Sequence, residues 1–336
     1  MGYKIKAFAT TDQPGKFKET SYDVPSLGEN EVYIKMIACG ICHTDCLYME
    51  QPDSILGHEP VGEITEVGSN VTKLKKGDIV GFSYLQSACL DCEQCDSGND
   101  IMCPKRVMFP ERNNNAFAEG AVRDAKFVYK IPKELKPEHA APLMCAGLTV
   151  FTAIYNSKIK PTDRVAVVGI GGLGHLAIQF ARAWGCHVTA ISHSADKKDE
   201  CMKFGAHDYL CSKDFNDDYI NKCEKFDYIL NTVSANLPWD DYMHLLKPNG
   251  TFCLIGIPSG SVEIKDVFTL LNQQRGVRGC VLGGRHVITK MLDFAAQHNI
   301  KPQIEEYGFN LEGLEKGIDR CKTSKARYRA VLVAGK

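Results

Sequence analysis

The most restrictive feature of this sequence is a glycine-rich turn between an apolar segment and an amphipathic one. Gly169, Gly171 and Gly174 belong to the motif GIGGLG, which follows RVAVV and precedes HLAIQFARAWG. A turn of this kind between a strand and a helix lets backbone amides at the helix N-terminus approach a pyrophosphate closely. The motif therefore predicts a parallel α/β unit that binds a dinucleotide, and a glycine-rich turn without a ligand is the alternative.

Strand-like and helix-like segments alternate from residue 161 onwards, which extends this prediction to a whole domain. Helices are predicted at Gly172–Trp184 and Ala195–Phe204. The predicted strands are Arg164–Val168, His187–Ser192, Phe226–Asn231, Thr251–Ile255 and Val277–Cys280. This alternation is typical of βαβ units. We therefore predict a doubly wound α/β domain with a parallel sheet in this part of the chain.

The end of the second predicted strand indicates which dinucleotide is bound. An NAD site usually places Asp or Glu there, because a carboxylate binds both ribose hydroxyls. This strand instead ends in Ser192, His193 and Ser194, and Lys197 follows. Hydroxyl, imidazole and ammonium groups accommodate a 2′-phosphate that a carboxylate would repel. The sequence therefore predicts NADP(H) as the cofactor.

The two ends of the chain have a different pattern. Up to about residue 142, short alternating segments are separated by Gly, Pro, Asn and Asp turns, which predicts a β-rich region. Its clearest strands are Glu31–Ala38, Val61–Val67 and Ile79–Phe82. Beyond Gly283 we predict helices at Val287–His298 and Leu311–Cys321 and a last strand at Ala330–Val333. The α/β domain therefore interrupts a β-rich region.

Composition excludes several classes of protein. Forty basic and 41 acidic residues give a net charge of −1, so nothing electrostatic favours nucleic acid or an anionic membrane as a partner. No apolar run approaches the ~20 residues of a membrane-spanning helix. The 15 cysteines are an odd number, and the N-terminal residues carry no apolar signal-like segment. We expect a reducing, cytoplasmic compartment, with thiols that are free or bound to metal.

Four of the cysteines are close enough in sequence to hold one metal ion. Cys89, Cys92, Cys95 and Cys103 form C-x2-C-x2-C-x7-C within turns rich in Gly, Asp and Asn. Four thiolates leave no open coordination position, which is typical of structural zinc, and a four-cysteine iron–sulfur cluster has the same ligands. Unrelated cysteines are the simplest alternative. Four acidic residues in this segment would repel phosphate, which disfavours a nucleic-acid-binding zinc ribbon.

A second set of metal-binding side chains is spread over about a hundred residues. Cys42 lies in ACGICHTD, His58 and Glu59 lie in GHEP, and Cys145 lies in LMCAGLTVF. Each of them taken singly is an ordinary buried residue. Together they supply two thiolates, an imidazole and a carboxylate, which can hold Zn²⁺ with one position open. Asp45 is a candidate acceptor for the ring N–H of His58.

Together these motifs resemble those of the zinc-dependent medium-chain alcohol dehydrogenases, most closely the cinnamyl alcohol dehydrogenase-like branch. The resemblance covers nearly the whole chain, through GICHTD, GHEPVGEITEVGSNV, the four-cysteine segment, CAGLTVFTA, VGIGGLGHLAIQFARAWG and RYRAVLV. It implies an α/β fold with an active site in the cleft between two domains. These are a GroES-like β-rich catalytic domain over 1–147 and 284–336, with a structural zinc lobe at about 86–105, and the Rossmann domain over 148–283.

The resemblance also implies roles for individual residues and two zinc ions per chain. Cys42, His58 and Cys145 match the catalytic zinc ligands, and the four clustered cysteines match the structural zinc lobe. Glu59 matches a carboxylate that approaches or transiently binds the catalytic zinc, and Thr44 matches the hydroxyl that contacts the substrate oxygen. The expected cofactor contacts are His43, Thr149, Gly169, Gly171, Gly172, Leu173, Gly174, Ser192, His193, Ser194, Lys197, Val233 and Arg329.

The sequence departs from the family pattern in two ways. Leu47 occupies the place of a histidine that often ends the proton relay. Only 16 positions separate Cys42 from His58, so a loop beside the substrate pocket is shortened.

The activity implied is reversible hydride transfer between nicotinamide C4 and a primary alcohol or aldehyde bound to the catalytic zinc. The alternatives are a polyol dehydrogenase of the same superfamily, a zinc-independent quinone or enoyl reductase, and a non-catalytic NADPH-binding zinc protein. A quinone or enoyl reductase would not need Cys42, His58 and Cys145 together. The family also implies a homodimer joined through the Rossmann domains, for which Gly256–Leu271 is a candidate contact.

Overall fold

Two units make up the chain in the computed structural model, which describes residues 2–24 and 26–336. The first unit comprises the residues up to Leu148 together with Gly283–Lys336, and the second comprises Thr149–Leu282. Among the described residues, no helix has the length and hydropathy that a membrane crossing requires.

The strands follow the alternation of apolar and polar residues in the sequence. In the third strand, Val32, Ile34 and Met36 are buried, whereas Lys35 between them is exposed. The strands are β1 (Tyr3–Thr10), β2 (Phe17–Val24), β3 (Glu31–Ile41), β4 (Glu59–Val67), β5 (Ile79–Gly81), β6 (Leu85–Ser87), β7 (Val107–Met108), β8 (Gly120–Asp124), β9 (Tyr129–Lys130), β10 (Arg164–Val168), β11 (His187–Ser192), β12 (Asp208–Cys211), β13 (Phe226–Asn231), β14 (Leu246–Leu254), β15 (Gly276–Gly279), β16 (Ile304–Gly308) and β17 (Arg329–Val333).

Most helices are short and carry one apolar face. In the longest helix, Val287, Ile288 and Met291 are buried at the i, i+1, i+4 spacing of such a face. The helices are α1 (His43–Leu47), α2 (Glu93–Asp96), α3 (Pro137–Pro142), α4 (Leu148–Asn156), α5 (Gly174–Trp184), α6 (Lys198–Lys203), α7 (Asp217–Lys222), α8 (Trp239–His244), α9 (Val267–Gln273), α10 (Arg285–Gln297) and α11 (Leu311–Lys322).

The first unit is organised around a mixed seven-stranded sheet in the order β16-β17-β3-β4-β5-β9, with β8 also paired to β3. The register of this sheet brings the ends of three of its strands together. Strand β3 pairs antiparallel with β4, so that Gly40 lies opposite Glu59, and with β17, so that Ile41 lies opposite Ala330. The carboxyl end of β3 therefore lies between the first residue of β4 and the first residues of β17.

The second unit contains a parallel six-stranded sheet in the order β12-β11-β10-β13-β14-β15. Its central strand β10 is buried at four of five positions, as expected for a parallel strand covered on both faces. The strand order reverses between β10 and β13, and such switch points bind ligands at the carboxyl ends of the strands. The predicted α/β class, with a β-rich part and a doubly wound parallel sheet, is confirmed.

Candidate active site

The catalytic metal candidates are brought together by the sheet of the first unit. Cys42 directly follows β3, and Glu59 begins the neighbouring strand β4, with His58 immediately before it. Cys145 comes from a π-helical turn, Leu143–Gly147, which is a geometry frequent at functional sites. One ligand atom from each of these four residues lies within 4.8 Å of the others, and all four residues are buried.

The buried carboxylate of Asp45 fixes the orientation of His58. Asp45 is fully buried, and its Oδ1 accepts the backbone N–H of Gly57 and lies 3.1 Å from Nδ1 of His58. Its Oδ2 accepts the N–H of Cys42, which caps helix α1. The opposite ring nitrogen of His58, Nε2, is buried and has no hydrogen-bond partner among residues 2–24 and 26–336. An imidazole held by a carboxylate, with its free nitrogen facing two thiols, fits a metal ligand.

The charges around Cys42 favour its thiolate, which is the form that binds metal. A hydrogen bond from the Cys145 thiol is the main cause that lowers the pKa of Cys42 well below its usual value, and His58 and Arg329 add to it against the effect of burial. The same hydrogen bond raises the pKa of Cys145. The charge on His58 is stabilised in turn, because Asp45 and Cys42 raise its pKa above the usual value although burial opposes them.

Glu59 is held by a buried ion pair at the edge of the cluster. Its Oε1 accepts a hydrogen bond from Arg329, the first residue of β17, and both side chains are buried. Its Oε2 is buried, and no described residue hydrogen-bonds to it. A Cβ atom at Gly40 would lie 2.0 Å from this Oε2, so the carboxylate occupies space that only glycine leaves free. Burial raises the pKa of Glu59 to about 7, although Arg329 opposes the shift.

Two aromatic rings pack against the ring of His58. The ring centroid of Phe109 lies 4.5 Å from that of His58, and Tyr84 packs edge-on at 5.5 Å. Burial and a hydrogen bond with Tyr48 raise the pKa of the Tyr84 hydroxyl, which therefore stays protonated. These three aromatic residues could not be predicted from the sequence, because nothing in the local pattern around them distinguishes them from core residues.

The four clustered cysteines form a second possible metal site. The sulfur atoms of Cys89 and Cys95 are 3.9 Å apart, and those of Cys89 and Cys103 are 3.4 Å apart. Four thiolates around zinc at ~2.3 Å would be separated by ~3.8 Å. Cys103 also accepts the backbone N–H groups of Cys89 and Lys105, and these donors lower its pKa to about 7. The donor set and its spacing fit a tetrahedral structural zinc.

This lobe is tied to the C-terminal part of the first unit by one carboxylate. Asp100, which is buried, accepts the backbone N–H of Arg285 at 3.0 Å and its Nε–H at 2.6 Å. Arg285 is the first residue of helix α10, so the carboxylate also lies at the positive end of the helix dipole.

In the second unit, the glycine-rich turn has the geometry of a phosphate cradle. A Cβ at Gly174 would lie 1.8 Å from the carbonyl oxygen of Gly169, so the turn closes only with glycine at this position. A Cβ at Gly171 would meet nothing within 4 Å, which leaves its backbone open to an approaching ligand. Thr232, at the end of β13, donates to the carbonyl of Gly169 and holds the turn. Thr232 is not among the cofactor contacts predicted from the sequence, which include its neighbour Val233.

The residues after β11 lie close to the same turn. Ser192 ends the strand and is buried, and no carboxylate occupies that position. Lys197 donates from its ammonium group to the carbonyl of Ile170 at 2.8 Å, which places a positive charge beside the glycine-rich turn. Asp196, the acidic residue nearest this strand end, accepts a hydrogen bond from Ser194.

The other site residues predicted from the sequence lie in both units. His43 and Thr44 are in α1, where the Thr44 hydroxyl is 3.6 Å from the Cys42 sulfur. Leu47 of the same helix is 53% exposed. Gly172 and Leu173 are in the glycine-rich turn, His193 follows β11, and Thr149 is in α4. Arg329 faces Glu59, an ion pair that the sequence analysis did not predict.

Known protein families match both units of the chain. The family "Zinc-binding dehydrogenase" matches residues 172–297, and "Alcohol dehydrogenase GroES-like domain" matches residues 28–133. An aldehyde reductase from Synechocystis is 38% identical over 98% of this chain and 98% of its own length.

Solved structures of related proteins are also similar to this chain, over nearly its whole length. A cinnamyl alcohol dehydrogenase from Sorghum bicolor superposes with a TM-score of 0.91 at 33% identity, over 98% of both chains. A second structure, described as CAD from Helicobacter pylori complexed with NADP(H), has a TM-score of 0.87 at 29% identity, over 99% of both chains. The chain therefore belongs to the zinc-dependent alcohol dehydrogenase family and is an oxidoreductase.

Proposed function

We propose that this enzyme transfers hydride reversibly between C4 of NADP(H) and the carbonyl carbon of an aldehyde or the corresponding primary alcohol. The observation that carries the proposal is the buried cluster of Cys42, His58 and Cys145, in which Nε2 of His58 accepts or donates no geometric hydrogen bond among the described residues. A zinc-independent reductase would have no use for this arrangement.

The test is NADPH oxidation with a panel of aldehydes, run on a preparation whose zinc content is measured. Oxidation that depends on the aldehyde supports the proposal, and preference for sugar alcohols or ketoses would favour a polyol dehydrogenase. A preparation with two zinc ions per chain that turns over none of these substrates would contradict the proposal.

Different side chains of the first unit have different roles in the reaction. Cys42, His58 and Cys145 would hold zinc, which when bound supplies a Lewis acid that polarises the substrate oxygen. Asp45 keeps the Nδ1 proton of His58 in place, so that Nε2 is the ligand atom. Arg329 holds Glu59 at the edge of the cluster through one carboxylate oxygen.

Thr44 is positioned to move the substrate proton. Its hydroxyl lies beside the Cys42 sulfur, and its Oγ1 can accept the proton of an alcohol and donate one from the same atom. Leu47 cannot accept this proton. His43, which is exposed next to Thr44, or solvent would receive it instead.

The second unit would hold NADP(H), which when bound supplies or accepts the hydride. The open backbone at Gly171 and the first turn of α5 offer N–H groups to the pyrophosphate. Ser192 and Lys197 suit the 2′-phosphate, since a hydroxyl and an ammonium group can both donate hydrogen bonds to it. The similar protein from Helicobacter pylori, whose structure contains NADP(H), supports this choice of cofactor.

Replacement of Lys197 by alanine tests the choice of cofactor. The variant should raise the KM for NADPH about tenfold and leave the KM for NADH unchanged, because a hydrogen bond between charged groups is worth at least ~1.5 kcal/mol. Steady-state kinetics with both cofactors measures this. The matched control is Lys198→Ala, which removes the exposed neighbouring ammonium and should change neither KM by more than about twofold. An equal rise of both KM values would show that Lys197 only supports the turn.

We also propose that the chain forms a homodimer through the β15 side of the second unit. Strand β15 ends the strand order of its sheet and pairs with β14, so its other edge is unpaired in the part of the chain that the structure describes. Apolar residues in the segment that leads from β14 to just beyond β15 are exposed, with Phe268 at 69% and Leu271 at 68%. The others are Ile257, Val262, Val267, Val277 and Val281. An unpaired edge flanked by a large apolar patch is typical of an interface between identical chains.

A charge placed in this patch should separate the dimer. Light scattering of the native protein should give twice the 37.2 kDa of one chain, whereas Phe268→Glu should give 37.2 kDa, because a carboxylate buried at the interface would be desolvated. Met202→Glu is the control, since Met202 is also an exposed apolar residue of the second unit and lies outside the patch. A native mass of one chain would contradict the proposal.

A reducing, cytoplasmic compartment is proposed for the same chain. None of the 15 cysteines is in a disulfide, and several partly exposed ones would be oxidised in an oxidising compartment.

A further inference from the structure

The segment directly before His58 carries this metal ligand without the support of a regular strand. Residues 53–58 follow helix α1 and precede strand β4, and the sheet pairing described for them is an isolated bridge between Ile55 and Ala9. They belong to the short connection between Cys42 and His58 that departs from the family pattern. The chain is buried from Ile55 to His58, and buried backbone groups need hydrogen-bond partners. These partners must therefore come from outside a sheet.

The loop between β7 and β8 supplies several of these partners through residues 113–117. The backbone N–H of Ala116 donates to the carbonyl of Gly57 at 3.0 Å. The backbone N–H of Phe117 donates to the carbonyl of Leu56 at 2.8 Å. The two residues directly before the imidazole ligand are therefore held by this loop rather than by a neighbouring strand.

Asn115 lies in the middle of this loop and is only 1% exposed. Its Nδ2 donates to the carbonyl of Ile55 at 3.0 Å and to that of Arg112 at 2.6 Å, so that both of its protons are used. Its Oδ1 accepts a hydrogen bond from Nε2 of Gln86, a buried residue of β6. One amide group therefore joins β6, the 113–117 loop and the segment that leads to His58.

Loss of this amide would affect the position of His58. The buried carbonyl of Ile55 would lose the donor that Asn115 provides, and a buried polar group left without its partner costs more free energy than the hydrogen bond contributed. The segment would shift so that the carbonyl gains a new partner, and His58 would move with it because the two residues are close in sequence.

We propose that Asn115 is a positioning residue for the catalytic metal, because it holds the backbone that carries His58. The inference rests on the proposed function in taking His58 as a zinc ligand. Asp45 fixes the orientation of the imidazole ring, whereas Asn115 fixes the segment from which the ring projects. Loss of a side chain that orients a metal ligand typically lowers metal affinity by about 10- to 100-fold. Asn115 acts through the backbone, so we expect the lower end of this range.

The experiment follows the release of zinc from the zinc-loaded enzyme into a chelator that forms a coloured zinc complex. Asn115→Leu keeps the approximate size of the side chain and removes its polar atoms. The ion held by Cys42, His58 and Cys145 should leave about tenfold faster than in the native chain, while the ion of the four-cysteine lobe should leave at the native rate. His58→Ala removes one ligand of the cluster, so it identifies the release phase of the cluster without reference to activity.

The matched control is Asn113→Ala. Asn113 is in the same loop and bonds to the same segment, through the N–H of Ile55 at 2.6 Å and the carbonyl of Asp53 at 2.8 Å. Its side chain is exposed, in contrast to that of Asn115. Water can therefore replace its hydrogen bonds, and the release rate of the cluster ion should change by no more than about twofold.

Asn115→Asp is a second variant, which keeps the volume of the side chain and an acceptor for Gln86 but lacks the two N–H groups of the amide. It should also release the cluster ion about tenfold faster. Native release rates in both variants would overturn the proposal. Equal acceleration of both release phases would overturn it too, because a general loss of stability frees both ions. An enzyme that turns over no aldehyde contradicts the proposed function, whereas native release rates contradict only the role of Asn115.

Discussion

Replacing Cys42 by alanine should reduce aldehyde-dependent NADPH oxidation about a thousandfold and lower the zinc content from two ions per chain to one. Lewis-acid stabilisation by a metal is worth several kcal/mol, and about 4 kcal/mol corresponds to a thousandfold in rate. The variant also leaves Nε2 of His58 and the Cys145 thiol with an incomplete ligand set. Kinetics and metal analysis on the same preparation measure both effects.

The control for this variant is Cys39→Ala. Cys39 is also fully buried and lies three residues earlier, on β3, but outside the metal cluster. It should keep both zinc ions and change the rate by less than about tenfold, because a small cavity in the core weakens stability more than chemistry. If Cys42→Ala retained two zinc ions and the native rate, the cluster would not be the catalytic site.

Replacing Cys103 by serine should remove the other zinc ion and lower the midpoint of thermal unfolding by about 10 °C. Structural zinc contributes its binding free energy to folding, and a loss of about 5 kcal/mol at ~2 °C per kcal/mol gives this shift for a chain of this size. The Cys103 sulfur also accepts two backbone N–H groups that would lose a thiolate acceptor. Calorimetry and metal analysis measure the result, and activity at low temperature should persist.

Cys201→Ser provides the comparison, since Cys201 is as fully buried as Cys103 but belongs to no metal cluster. It should keep both zinc ions and lower the midpoint by only a few degrees. A Cys103→Ser variant with an unchanged zinc content would show that the lobe holds no metal. Loss of activity in proportion to zinc would instead place the catalytic ion in the lobe.

The lobe could be predicted from the sequence because its four thiols lie within residues 89–103, where spacing alone restricts their geometry. The other cluster could not be predicted in that way. Cys42 and Cys145 are about a hundred residues apart, and they meet only because β3, β4 and the π-helical turn converge. Its residues were therefore predicted by family resemblance rather than by local pattern.

Other features were missed for related reasons. Strand β12 and helix α7 are short segments of mixed polarity, so hydrophobic periodicity over a long window does not detect them. The pairing of Glu59 with Arg329 depends on strand register across the whole chain, and no local signal encodes it. The longer apolar strands β10, β11 and β13, by contrast, were predicted at the bounds that the structure gives.

The first unit is built from two separate parts of the chain, which affects the order in which the two units can fold during synthesis. The second unit is contiguous and can fold once residue 282 has left the ribosome, whereas the sheet of the first unit lacks an inner strand until β17 emerges. Arg329 arrives with that strand, so the ion pair that holds Glu59 cannot form while most of the chain is being made. The candidate metal cluster is therefore completed only by one of the last strands to be synthesised.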